Sequence, residues 1–519
     1  MKMRTLFAVG MAVVSAVLFW ALPAQAAETI YWDNYLQTPA SIGFSAIDGS
    51  GGGLLNTAGA TIEDPEGMSY DSATGRIYVA SSNNDEIVWV NVDGSGTGTL
   101  SAPGAPIEDP EGVAIDPASR TVYWVNAEGN GEAGGSIAWA KLDGSSGGML
   151  NTTGATLSEP YRLAIDPAGG RVYWTNFGPT PQLISYANLD NSGGGGDLDV
   201  SGASEPNDDG LAVDSAAGRI YWLNSESISY ASVGGGNGGD LEPAGATFDS
   251  PYGLAVDPAK GMAYWANYGV HEGEPNGIGF ETTLGTGGGA LTPSALTDGP
   301  QDPVILKSPS GTGAPAVTRT PATTNLACSQ GSWAPDYAGG FVYQAPQSYA
   351  YQWLLNGAAI PGANASTYTG TAPGSYTCSV TGTNHNGSAT QTSGSVELVA
   401  GKLTLGLKKH KARTKAAKAA AFGLVLTNSG DFPVKGTRLC VKEPKKAKKA
   451  VKAPKCRSLG TIAAGKKRTL KVRVKALGTA EGTYKLTFLL RGKGGAKPVK
   501  AKLLVKPTTT KKRGGKHRH

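Results

Sequence analysis

Between residues 28 and 308 the apolar positions fall in short runs of four to eight, separated by clusters rich in Gly, Pro, Asn and Asp. Each run mixes β-branched and aromatic side chains, the pattern of antiparallel strands joined by tight turns. The clearest stretch reads Glu111-Gly112-Val113-Ala114-Ile115-Asp116, then Thr121-Val122-Tyr123-Trp124-Val125-Asn126, then Ser136 to Asp143, then Met149-Leu150. Asp-Gly turns at Asp48-Gly49, Asp93-Gly94 and Asp143-Gly144 fit the connection after the third strand. Apolar spacing of three and four, which a helix needs, is absent from this stretch.

The four-strand pattern repeats. Its marker is an aromatic pair, Tyr31-Trp32, Tyr123-Trp124, Tyr173-Trp174, Tyr221-Trp222 and Tyr264-Trp265, with Tyr78-Val79 in the second copy, at intervals of 43 to 50 residues. Four strands and a period of this size predict a β-propeller, because no such unit buries its own apolar face alone. The first copy lacks the strand that precedes the aromatic pair in the others. The stretch from Thr297 to Leu306, around Val304, is expected to supply it and close a ring of six blades over residues 27–308, leaving no exposed sheet edge.

Tyr173-Trp174-Thr175-Asn176, preceded in its neighbour by Gly112-Val113-Ala114-Ile115-Asp116, resembles the YWTD propellers of the low-density lipoprotein receptor family. The resemblance covers all six units, although one alone carries the full tetrapeptide. It implies a six-bladed fold and a surface that binds proteins or other ligands. NHL and gluconolactonase-like propellers, some of them enzymes, are looser relatives.

Residues 1–26 carry Lys2 and Arg4, an apolar run from Leu6 to Leu22 and Ala24-Gln25-Ala26, the layout of a secretory signal peptide. No later run approaches the ~20 apolar residues of a membrane span, so the expectation is a secreted, extracellular protein. In an oxidising compartment the four cysteines are expected as two local disulfides, Cys328 with Cys378 and Cys440 with Cys456. Over 309–400, the order Cys328, Trp353, Tyr376, Cys378 resembles bacterial immunoglobulin-like sandwiches. Over 401–507, Leu426-Thr427-Asn428-Ser429-Gly430 and Gly482-Thr483-Tyr484 resemble CARDB-type modules of bacterial surface proteins. Residues 508–519 read as a disordered basic tail. The expected fold is therefore all-β, a six-bladed propeller followed by two β-sandwiches.

Charge separates the two ends. Residues 27–308 hold 8 Lys or Arg against 36 Asp or Glu, a net −28, whereas 401–519 hold 35 against 3, a net +32. The basic end predicts salt-sensitive attraction to polyanions, with anionic envelope polymers as the expected partners. It is poor in aromatic residues and in Arg, so no sequence-specific nucleic-acid binding is expected.

In a propeller the loops entering the first strand and leaving the second open on one face. The first set holds Glu63, Asp64, Glu66, Glu108, Asp109, Glu111, Glu159, Glu205, Asp208, Asp209, Asp249 and Asp298. The second begins with Asn34, Ser81, Asn126, Asn176, Asn224 and Asn267. Such a rim suits a protein or small-molecule ligand, a cationic one in particular, and Ca²⁺ is the metal these oxygen donors favour. Asn and Asp at strand ends also cap turns, which is the expected role of most of the asparagines. Asp71, Asp116, Asp166, Asp214 and Asp257 belong to turns on the other face. With His271 the single histidine of this region, His-based catalysis is not expected. No cofactor and no catalytic residue is assigned. The leading expectation is a non-enzymatic binding protein of a bacterial envelope, and the alternative is a Ca²⁺-dependent lactonase or hydrolase.

Overall fold

The computed structural model describes residues 28–127, 134–178, 181–207, 209–242, 245–269, 276–291 and 298–507. The expected signal peptide (1–26) and basic tail (508–519) lie outside them, as does His271. The described chain is all-β, with three single-turn 3-10 segments and no α-helix. None of its helical segments is long and apolar enough to cross a membrane.

Its residues fall into two compact units, the first comprising 28–310, 334–348 and 383–389. Five sheets of this unit are sequential four-stranded meanders whose inner strands are Pro65–Asp71, Pro110–Asp116, Pro160–Asp166, Leu211–Asp214 and Pro251–Asp257. The sixth joins the ends of the propeller. Pro300–Leu306 lies antiparallel to Thr29–Asn34, with Val304 opposite Tyr31 and Pro300 opposite Asn34. The stretch around Val304 thus completes the first blade, and the six inner strands contact one another in a closed ring.

Alternation along the second strand explains the core. Successive side chains point to opposite faces of a blade, so each Tyr-Trp pair serves two inter-blade layers. Trp32, Trp124, Trp174, Trp222 and Trp265 are fully buried. Each Trp removes about 200 Å² from water, about 5 kcal/mol as an upper figure. The tyrosines meet aromatic partners across the sheet, as in Tyr31 with Phe44 and Tyr264 with Phe280.

Residues 334–348, which the sequence pattern places within 309–400, belong to this first unit. A 3-10 turn at Ala338–Gly340 sits against four of the inner strands. Val342–Tyr343 then runs parallel to Pro300–Leu306, pairing Ile305 with Val342. The Tyr343 hydroxyl lies 3.0 Å from Ser69 Oγ, and Phe341 lines an axial cavity of about 20 Å³, room for one water. This segment plugs the end of the channel opposite the acidic loops.

In the second unit the disulfide Cys328–Cys378 joins two sheets, with 6.3 Å between its Cα atoms. Trp353 is buried beside it and donates its indole N–H to the Ala365 carbonyl at 2.9 Å. The Tyr376 hydroxyl donates to the Ala372 carbonyl at 2.7 Å. Residues 403–506 form two further sheets around Phe422, Leu424, Leu486, Phe488 and Leu503, and Cys440 bonds to Cys456.

Candidate functional site

The predicted residues separate by position. The asparagines are buried and spent on the scaffold. Asn126 Oδ1 accepts the Trp124 indole N–H at 3.0 Å and the Glu108 amide at 3.0 Å, while its Nδ2 donates to Ser136 Oγ at 2.9 Å. Asn267 does the same for Trp265 and Asp249, and Asn34 for Trp32 and Asp298. Asn176 and Ser81 accept the amides of Ser158 and Glu63. Asn224 instead closes its own turn through Glu226 and Ser227. All but Asn224 therefore tie the second strand to a neighbouring loop.

The outer carboxylates are turn residues. Asp64, Asp109 and Glu159 hold positive φ values of 45°, 46° and 49° directly before the proline that opens an inner strand. Asp64 is half-buried and accepts from the Asn83 amide, while Glu63, Glu159 and Glu205 are exposed. The Asp109 amide donates to Asp85 Oδ1 at 2.7 Å, and Glu108 is half-buried. These side chains are spread around the rim. Asp208 lies outside the described residues.

At the channel axis Glu66 and Glu111 converge, and they do so on residues that sequence reasoning missed. In four blades the third residue of the inner-strand motif is glycine (Gly67, Gly112, Gly210, Gly253), which brings neighbouring strands together at the axis. A Cβ on Gly67 would stand 2.8 Å from the Glu111 carbonyl oxygen. The other two blades place Arg162 and Asp302 at this position. Arg162 is buried and spans the channel, with its guanidinium 3.4 Å from Glu66 Oε2 and 3.7 Å from Asp302 Oδ2. It also donates to the Glu66 carbonyl, and to Gln301 Oε1 at 3.3 Å. The Tyr161 hydroxyl donates to Glu66 Oε2 at 2.6 Å.

Four carboxyls thus crowd one cation. Burial pushes Glu66 up to about 7, against the pull of Arg162 and Tyr161. Burial and then Glu66 push Glu111 up to about 10. Asp33 and Asp302 also rise, first from burial, and Asp302 raises Asp33 further. Asp33 is 0% exposed, and neither of its side-chain oxygens has a hydrogen-bond partner beyond its own backbone. The signal for these residues was a broken repeat. Asp33 stands where the other blades have Ala80, Val125, Thr175, Leu223 and Ala266, and Arg162 and Asp302 stand where the others have glycine. Asp33→Val, which copies the third blade, is expected to stabilise the propeller by about 1 kcal/mol at pH 8. Urea unfolding checks this, and a loss of stability would show that the carboxyl is needed where it is.

A wider opening lies beside this cluster on the same face. It has a volume of about 480 Å³ and is lined by Asn207, Asp209, Phe248, Asp249, Tyr252 and Tyr268. Tyr268 packs at 5.3 Å from Tyr252 and 5.8 Å from Tyr35. Burial, then the nearby Glu66 and Asp64, pushes the Tyr35 phenol up to about 12. Among the described residues no three His, Cys, Asp or Glu are grouped so as to hold a metal ion. The converging carboxyls are gathered instead around Arg162, which does not fit a Ca²⁺ site.

No protein-family model and no curated protein matches the sequence. Among solved structures, the chain is similar to one in a nidogen/laminin complex, at 17% identity and a TM-score of 0.42 over 54% of this chain and 98% of the other. It is similar at 12% identity to a putative TolB from Agrobacterium tumefaciens, with a TM-score of 0.37 over 54% and 96% of the two chains. A putative 6-phosphogluconolactonase from Bacteroides uniformis is also 12% identical, with a TM-score of 0.36 over 54% and 100%. Likeness at these identities speaks at most of fold, not of ligand or activity.

Proposed function

We propose that the protein is a secreted, non-enzymatic binding protein of a bacterial envelope, whose propeller takes a cationic group at its acidic mouth and whose basic end contacts anionic polymers. The observation that carries the first half is the opening lined by Tyr252, Tyr268, Asp209 and Asp249. Aromatic faces and carboxylates attract the same ligand class, a desolvated ammonium or guanidinium. A lysine or arginine side chain of another polypeptide would satisfy both. The disulfides Cys328–Cys378 and Cys440–Cys456 accord with an oxidising compartment.

Tetramethylammonium is a suitable probe of the mouth. Calorimetry is expected to give saturable binding at low salt, weakened about 30-fold by Tyr268→Ala combined with Asp249→Asn, the loss of a ~2 kcal/mol cation–π contact. Equal binding by the variant would sink the mouth assignment. The second half predicts retention on isolated envelope material that salt reverses.

One feature favours the alternative, a lactonase or hydrolase: Glu66 and Glu111 are carboxyls whose environments push their pKa values apart, as acid–base pairs require. Against it, the axial cavity beside Arg162 is only about 20 Å³, and neither Glu66 nor Glu111 lines the wider opening. Turnover of lactones or esters, lost in Glu66→Gln, would decide for the enzyme.

A further inference from the structure

Two sheets make up residues 403–506, and their outward faces differ. One has the strand order Lys411–Lys415, Val499–Lys506, Gly482–Arg491, Arg438–Lys442, Arg457–Ser458. None of these five strands contains Asp or Glu. Their register sets cations directly opposite one another. Lys411 faces Lys502, and Lys502 on its other side faces Lys485. Lys415 faces Lys506, and Arg438 faces Arg491. All of these side chains are exposed. In the other sheet Lys467, Lys471 and Arg473 face Thr427, Gly423 and Ala421, and the one like-charged pair is Lys452 with Lys475.

Like charges directly opposite destabilise a sheet, and neighbouring strands are only about 4.8 Å apart. Two ordinary reasons for surface lysines do not explain the arrangement. Lysines on an edge strand prevent edge-to-edge pairing, but Lys485 and Lys502 sit on interior strands of this sheet. Solubility asks for a net charge of roughly 2 to 8 on a small domain, and it does not ask for cations in register. A row of uncompensated cations across three strands is the complement of a chain with an anion in every repeat. Lysine acts as a point charge suited to phosphate, whereas arginine forks bind carboxylate and phosphate alike, and the row of Lys411, Lys502 and Lys485 contains no arginine. The aromatic residues of these strands are Tyr484, whose hydroxyl donates to the Glu481 carbonyl at 2.8 Å, and the buried Phe488. Neither offers an open ring for base stacking.

Resting on the proposal that the basic end contacts anionic polymers, we infer that the face carrying Lys411, Lys485 and Lys502 is the docking surface, and that it takes a linear phosphate-bearing polymer with no base-specific contact. The ligand lies across the strands, bridging the three lysines.

The test uses the full chain with long-chain inorganic polyphosphate as probe, titrated at several salt concentrations. The triple variant Lys411→Gln, Lys485→Gln, Lys502→Gln is expected to weaken binding at least 10-fold near physiological salt. The slope of log K against log salt should fall by about 2. The same charge loss on the other sheet, Lys467→Gln, Lys471→Gln, Lys475→Gln, is expected to weaken it less than about 3-fold, the residue of a general field effect. Equal losses from the two triples would overturn the assignment of the face while leaving polyanion binding intact. Failure of the unaltered chain to bind would instead overturn the broader reading. Polyglutamate binding as tightly as polyphosphate would remove the phosphate assignment. Independently, Lys502→Gln, which relieves two like-charged contacts, is expected to raise the unfolding midpoint, and a lowered midpoint would contradict the register argument.

Discussion

Arg162→Met is expected to destabilise the propeller by about 3–5 kcal/mol at pH 8, the usual cost of removing one partner from a buried ion pair, with much of the loss recovered at pH 5. The guanidinium is 4% exposed and lies among Asp33, Glu66, Glu111 and Asp302. Burial alone would make it less basic, but the surrounding acids more than reverse that, so it stays charged. Methionine fills similar volume without charge, and the four acids then have no counter-ion. Protonation is their remaining relief, and its cost relative to the ionised unfolded chain falls as the pH falls.

The sign in the unaltered protein follows from the same groups. A carboxyl whose folded pKa lies above its unfolded value keeps its proton longer when folded. Its stabilising contribution is complete below the unfolded value and is lost as pH rises through the folded one. For Glu66 that window runs from 4.5 to about 7, and for Glu111 from 4.5 to about 10. Propeller stability should therefore decline from pH 5 to pH 9, and more steeply in the variant. Urea unfolding at the two ends of this range measures both slopes. A loss in Arg162→Met that is the same at pH 5 and pH 8 would show that the arginine acts by packing and not by charge.

Gly339→Ala should unseat the channel plug. The added methyl would stand 2.1 Å from the Ile165 carbonyl oxygen and 3.0 Å from Val213 Cβ. Its neighbour Gly340 has the same relation to the Val256 carbonyl, at 2.4 Å. These obstacles are backbone or core atoms of three successive inner strands, so no side chain can swing aside. Overpacking of a tight site costs typically 1–3 kcal/mol, and here the plug can yield by leaving. The expected result is a propeller less stable by about 2–3 kcal/mol, with residues 334–348 newly sensitive to protease. Gly394→Ala, where a Cβ meets nothing within 4 Å, serves as the control. A Gly339→Ala protein with unchanged stability and unchanged cleavage would mean that the turn is not held in the channel.

The mouth and the axis differ in how visible they are along the chain. The aromatic pairs and the asparagines two residues after each tryptophan recur in nearly every unit, because the same local demands recur there: an inter-blade layer to bury and a loop to hold. Repetition makes them legible, and it also explains why they carry scaffold rather than chemistry. Glu66 and Glu111 stood out as acids. Their partners Arg162, Asp302 and Asp33 did not, since each is a single departure from the repeat, and only the ring brings them within reach of one another.

The residues alone determined the all-β class, the six four-stranded units, the closing strand around Val304 and the opposition of charge between the two ends. These follow from period, turn chemistry and composition, which are properties of neighbouring residues. Tertiary structure decided which acids share a counter-ion, that a segment beginning at Ala334 stops the channel, and which lysines stand opposite one another across three strands. Those depend on distances between residues remote in sequence, and such distances exist only once closure, register and packing have been chosen together.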